Sequence, residues 1–193
     1  MTLFLLSHAR RIRVAAFAGL ALLASAHALG QKNYWSLTEA DLRLLPPFCR
    51  TGFSFLSASD AANMNHLCPG LNALNDAQRS FGDSTRKGWA LSQAIDHLSY
   101  TLRHPNPSHP LRPMVLVKRG NAYELQGNIS KAITDYSTAV RVNPKFLQGY
   151  VSLSNAYVKL GDKKSALNAL DEGLKANPDS KPLQSRRQKL AGS

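Results

Sequence analysis

The stretch PMVLVKRGNAYELQGNISKAITDYSTAVRVNPKF, residues 113–146, lies over LQGYVSLSNAYVKLGDKKSALNALDEGLKANPDS, residues 147–180, at an offset of 34. Tyr123 falls on Tyr157, Gly127 on Gly161, Asn128 on Asp162, Ala132 on Ala166 and Pro144 on Pro178. Each coincidence has a physical reading. The glycine supplies a left-handed residue that ends a first helix, the following Asn or Asp caps a second, and the alanine lets two backbones approach. Proline after Asn143 and Asn177 stops the second helix, because it lacks the next donor and disfavours helix in its predecessor. Self-similarity at such a period predicts stacked helical hairpins rather than a single bundle.

The spacing resembles the tetratricopeptide repeat (TPR) family over residues 113–180, about a third of the chain. In the first unit Leu116, Gly120, Tyr123, Gly127, Ala132, Tyr136, Ala139 and Pro144 stand at signature positions; in the second Tyr150, Leu153, Tyr157, Gly161, Ala166, Leu170 and Pro178 do. Ser154 replaces the small Gly120, and Gly173 replaces Ala139. A glycine inside a helix costs about 1 kcal/mol relative to alanine, so a looser last hairpin is expected. The fold class expected is all-α: a right-handed array of TPR hairpins with a disulfide-stapled N-terminal extension.

Upstream, Ala94, Leu98 and Leu102 recur at the spacing of a second repeat helix, and Gly70 suits a close helix crossing. Residues 60–112 are therefore read as an irregular, degenerate hairpin, with an unrelated helical cap as the alternative. A helix is expected from about Asp60, carrying Met64, Leu67, Leu71 and Leu74 and kinked at Pro69, with a turn at Gly88. Ser36 and Glu39 form a capping-box pattern before Leu42, Leu44 and Leu45, and Pro46 and Pro47 end that helix. Thr51–Ser59 reads as an ordered loop or a helical turn. Residues 181–193 supply a polar capping helix and tail, as solenoid ends require.

Arg10, Arg11 and Arg13 precede an apolar run from Val14 to Leu23, followed by the small-x-small triplets Ala24-Ser25-Ala26 and Ala26-His27-Ala28. Residues 1–28 thus read as a cleaved secretory signal peptide, since roughly 15 apolar residues fall short of the ~20 that span a bilayer. An uncleaved membrane anchor and a mitochondrial presequence are the alternatives. Export to the periplasm makes Cys49 and Cys68 a disulfide pair, closing a loop within the extension 29–59 and the helix that follows. Neither cysteine has a CxxC or haem-attachment partner, and His66 near Cys68 lacks the further ligands of a metal site. His104 and His109, spaced among Pro105, Pro107 and Pro110, read as part of a connector.

The net charge of +12 falls to +9 once Arg10, Arg11 and Arg13 are removed. Such a surplus favours an acidic partner or an anionic surface; the leader argues against nucleic acid. Lys159, Lys163, Lys164, Lys175, Lys181, Arg186, Arg187 and Lys189 concentrate the basic residues late in the chain. No nucleophile elbow, phosphate loop or zincin helix occurs, so no enzyme, cofactor or metal is expected.

The family resemblance implies a concave groove lined by Met114, Val117, Asn121 and Glu124, then Gln148, Val151, Asn155 and Val158. Stacked asparagine amides suit an extended peptide backbone, with Val117 and Val151 as an apolar floor; the alternative is that they bond only neighbouring helices. Some family members clamp a terminal carboxylate with lysine and asparagine, but Val117 occupies the first lysine position here. The expected function is an exported scaffold that binds a protein or peptide partner and helps assemble an envelope complex such as a pilus, secretion or polysaccharide machine. The alternative is docking of the basic C-terminal face on anionic lipid or cell-wall polymer.

Overall fold

The computed structural model describes residues 32–61 and 64–192. The expected signal peptide, residues 1–28, lies outside the described residues. Tyr34–Ser193 forms one compact unit, distinct from Met1–Asn33.

That unit is all helical among the described residues. Three short helices open it: α1 (Glu39–Arg43), α2 (Phe48–Thr51) and α3 (Ala58–Ala61). After one turn of tighter helix at Met64–His66, three antiparallel hairpins follow: α4 (Leu67–Arg79) with α5 (Ser84–Thr101), α6 (Arg112–Leu125) with α7 (Ile129–Val142), and α8 (Leu147–Lys159) with α9 (Lys163–Ala176). A last helix, α10 (Lys181–Ala191), lies on α9.

The turn chemistry is the same three times. Gly82, Gly127 and Gly161 each have φ between +75° and +87°. Behind each glycine, the side chain of Asp83, Asn128 or Asp162 accepts a hydrogen bond from the amide three residues on and caps the second helix. The expected turn at Gly88 is therefore misplaced by six residues: Gly88 lies inside α5, and the turn is at Gly82. Pro69 produces no interruption either. It sits in the first turn of α4, where its missing N–H has no intrahelical partner to lose. The capping box falls two residues later than expected, on Thr38 and Asp41 rather than Ser36 and Glu39.

Glycine and alanine set the hairpin crossings. A Cβ on Gly120 would lie 2.4 Å from the Tyr136 ring, and one on Gly70 would lie 3.0 Å from His97 and Leu98. At the next repeat the Gly120/Tyr136 pair becomes Ser154/Leu170, a larger residue on one helix and a smaller one on the other, both fully buried. Gly173 does not loosen the last hairpin as propensity alone suggests. Its missing Cβ is the space into which Tyr150 and Leu183 pack, at 2.8 and 2.9 Å from the position it would occupy.

The extension is part of the core. Leu45, Met64, Leu67, Cys68, Leu71, Leu98 and Val115 form one cluster, against which Phe48, Phe53 and Leu56 pack. Cys49 and Cys68 are bonded, 5.6 Å apart at Cα, so α2 is fixed to the first turn of α4. The proline-rich connector is tied to the extension as well. Nε2 of His104 lies 3.0 Å from the carbonyl oxygen of Ser59, and Nε2 of His109 lies 2.7 Å from that of Asp60.

Candidate functional site

The first helices of the second and third hairpins, α6 and α8, carry the expected groove residues at matching turns. On α6, Asn121 and Glu124 are half-buried and held from below by Tyr136, whose hydroxyl lies 2.8 Å from Asn121 Oδ1 and 2.8 Å from Glu124 Oε2. Burial, then the hydrogen bond to Glu124, raises the Tyr136 pKa, so the hydroxyl stays a donor. Glu124 also pairs with Lys159 of α8. Val117 is only 2% exposed and belongs to the core between α6, α7 and α8, so it is closed off rather than an open floor. Met114 packs against the cluster around Cys68.

On α8, Gln148 is exposed and its amide donates to Ser152 Oγ at 3.2 Å. Val151 is half-buried and Val158 is 46% exposed. Asn155 Oδ1 accepts a hydrogen bond from Arg186 of α10. The single Tyr136 hydroxyl proton goes to the Glu124 carboxylate, so Asn121 only abuts the hydroxyl oxygen, whereas the Asn155 carbonyl is filled by Arg186 and its amide nitrogen keeps its donors.

The capping helix contributes more than a polar end. A pocket of about 420 Å³ lies between α8 and α10, bordered by Asn155, Val158, Pro182, Arg186, Lys189 and Leu190. The 34-residue offset runs on into α10, placing Pro182 after Gln148, Ser185 after Val151 and Lys189 after Asn155. That signal is present in the sequence but masked by the low apolar content of α10. The C-terminal end of the groove is consequently cationic: Arg186 and Lys189 stand beside the donors of Asn155.

Elsewhere the late basic residues are partly consumed. Lys159 pairs with Glu124, Lys175 with Glu172 and Arg187 with Asp171. Asp60, His104 and His109 place three metal-ligating atoms within 4.8 Å of one another. Their hydrogen bonds account for that arrangement without an ion. His104 Nδ1 accepts from the Asn106 amide and His109 Nδ1 from the Leu111 amide, while Asp60 accepts from Asn106 Nδ2.

At the first hairpin the equivalent of Asn121, counted back from the turn glycine, is Asp76. It is buried, accepts from the Tyr34 hydroxyl at 2.6 Å and receives the Arg86 guanidinium on both oxygens. Asn72, the equivalent of Val117, is buried with neither amide atom bonded. The segment from Tyr34 to Leu45 therefore lies over surface on α4 that would otherwise be open, as Asn75 Nδ2 donating to the Leu44 carbonyl also shows.

Stacked hairpins with an open polar face on their first helices define a repeat scaffold. Residues 120–161 match the family model described as TPR repeat, and residues 147–180 match the one described as tetratricopeptide repeat. Residues 120–180 of this chain are therefore similar to TPR repeats, in an all-α array of TPR-like hairpins. Over 102 residues it is 29% identical to the "Heat-shock protein cognate (HSC) co-chaperone sgt12" of Aspergillus fumigatus, an alignment covering 53% of this chain and 29% of that protein's length. The fold is similar to that of a thermophilic TPR protein from Thermus thermophilus, at a TM-score of 0.61 and 19% identity, covering 94% of this chain and 95% of the other. It also matches the Sgt2 TPR domain from Aspergillus fumigatus, at a TM-score of 0.46 and 24% identity, covering 63% and 76%. TPR scaffolds are generally non-catalytic.

Proposed function

We propose that this protein is an exported TPR adaptor whose groove binds an extended, acidic segment of a protein partner during assembly of an envelope complex. The observation that carries the reading is the placing of Asn121 and Asn155 at equivalent turns of α6 and α8, with Asn155 bordering the α8–α10 pocket. With Asn155 Oδ1 already accepting from Arg186, its amide donors are left for a ligand, and Asn121 offers a second amide at the equivalent turn. Such donors suit the carbonyl oxygens of an extended backbone. Arg186 and Lys189 at the α10 end favour a carboxylate side chain there, and the exposed Val158 gives an apolar contact beside it.

Export is supported by the disulfide, a bond that persists in oxidising compartments, together with the basic and apolar leader pattern of residues 10–28. The test is a crosslinking pull-down with the mature chain and with Asn121→Ala/Asn155→Ala. Loss of partners in the double variant supports groove binding. Unchanged capture in that variant, with loss on charge reversal at Lys163, Lys164 and Arg187, none of which borders the α8–α10 pocket, would replace it by docking on an anionic surface.

A further inference from the structure

The Tyr34–Leu45 strap is held on the first hairpin by Tyr34 bonded to Asp76, by Asn75 bonded to the Leu44 carbonyl, and by the partly exposed Trp35 set against a pair of imidazoles. Nδ1 of His66, just before α4, lies 2.9 Å from Nδ1 of His97 in α5. A contact of that length between two ring nitrogens requires one proton between them: one nitrogen donates and the other presents its lone pair. Trp35 stands edge-on to both rings, 4.6 Å from His66 and 4.9 Å from His97 between centroids. Tyr100 stacks on the other side of His66 at 3.7 Å, with the Arg103 guanidinium over its face.

We propose that His66 and His97 form an acid-operated latch that holds the strap against α4 and α5 and releases it when both imidazoles are protonated. The proton count follows from the geometry. A first added proton goes to the outer nitrogen of the donor ring and leaves the shared bond intact. A second must go to the accepting Nδ1, after which two N–H groups and two positive charges face each other at a distance that fits only a hydrogen bond. The rings then separate, and Trp35 loses the surface it rests on.

Burial, more than the neighbouring charges, favours the neutral pair at rest. Burial, then the Arg103 charge, lowers the His66 pKa, and burial, then His66 itself, lowers that of His97, with Asp96 opposing. In the released strap both histidines return toward their ordinary value of about 6.5. The docked state binds fewer protons than the released one, so docking is complete above about pH 6.5 and is lost as the pH falls through the lowered values. The disulfide keeps α2 attached throughout, confining release to the residues before it. What opens is the face of α4 that carries Asp76 and the unbonded Asn72. The device does not depend on the groove reading.

The chain has two tryptophans, so Trp89→Phe leaves Trp35 as the sole reporter. Between about pH 8 and pH 4.5 its emission is expected to change with a slope steeper than one proton. Over the same range the amides of Leu42, Leu44 and Leu45, bonded within the strap, lose exchange protection. In a His66→Asn/His97→Asn background both changes disappear. An unaltered acid transition in that background, or a Trp35 change with the three amides still protected, overturns the latch. In the unmodified protein, nitrogen NMR at neutral pH is expected to find one ring protonated on Nδ1 and the other on Nε2; two Nε2–H rings would equally refute it.

Discussion

Gly173 and Gly88 are both glycines inside helices, and propensity alone predicts that alanine stabilises each by about 1 kcal/mol. The structure separates them. Gly88 has no atom within 4 Å of its would-be Cβ, so Gly88→Ala should gain about 1 kcal/mol. At Gly173 the new carbon would lie 2.8 Å from Tyr150 Cγ and 2.9 Å from Leu183 Cδ1, against about 3.4 Å for ordinary contact. Tyr150 is 6% exposed and Leu183 fully buried, so neither can swing into solvent. Overpacking of this kind costs about 2 kcal/mol, which offsets the propensity gain and leaves Gly173→Ala about 1 kcal/mol less stable than the parent. For a domain of this size that is a fall of about 2–4 °C in Tm, against a comparable rise for Gly88→Ala. Urea and thermal unfolding followed by circular dichroism read both. If Gly173→Ala proves as stable as the parent or more so, the packing argument for the α9–α10 junction is wrong.

Two further outcomes are expected. Replacing both Cys49 and Cys68 by serine removes a crosslink spanning 19 residues; the chain-entropy model puts the loss at about 3 kcal/mol, seen as a lower urea midpoint that matches the reduced parent. Arg119 binds Asp135 through two hydrogen bonds, at 2.9 and 2.7 Å, and reaches Ser99 on α5, so Arg119→Leu strands a buried carboxylate at a cost of about 3 kcal/mol. The double variant Arg119→Leu/Asp135→Ala should recover most of that loss in the same unfolding assay, because Leu153 and Ala169 already fill the corresponding positions 34 residues on.

How much of this was legible beforehand depends on where the stabilising contacts are made. Turn glycines and their Asx caps act within four residues, and the crossings Gly120/Tyr136 and Ser154/Leu170 recur because the same hairpin is built twice; such features can be read from one string. Gly82-Asp83 carries the same turn signal and was hidden only by the absence of its repeat partners: Gln78 stands where the tyrosines of the other two units do, four residues before the glycine. The strap and the connector are a different case. Nothing in the spacing of His66 and His97, or of His104 and His109, says that one pair shares a proton under Trp35 and the other holds the carbonyls of Ser59 and Asp60. Those bonds join residues 31 to 49 apart with no period between them.

The groove divides along the same line. Its lining positions follow from the repeat, but the chemistry at those positions comes from residues outside the first helices. Tyr136 on α7 donates to Glu124 and abuts Asn121, Arg186 on α10 donates to the Asn155 carbonyl, and Lys159 pairs with Glu124. A family pattern therefore locates a groove without fixing its polarity. Here Arg186 takes the Asn155 carbonyl from behind and with Lys189 puts two cations at the α10 end, so the proposed ligand is one that brings acceptors to that end.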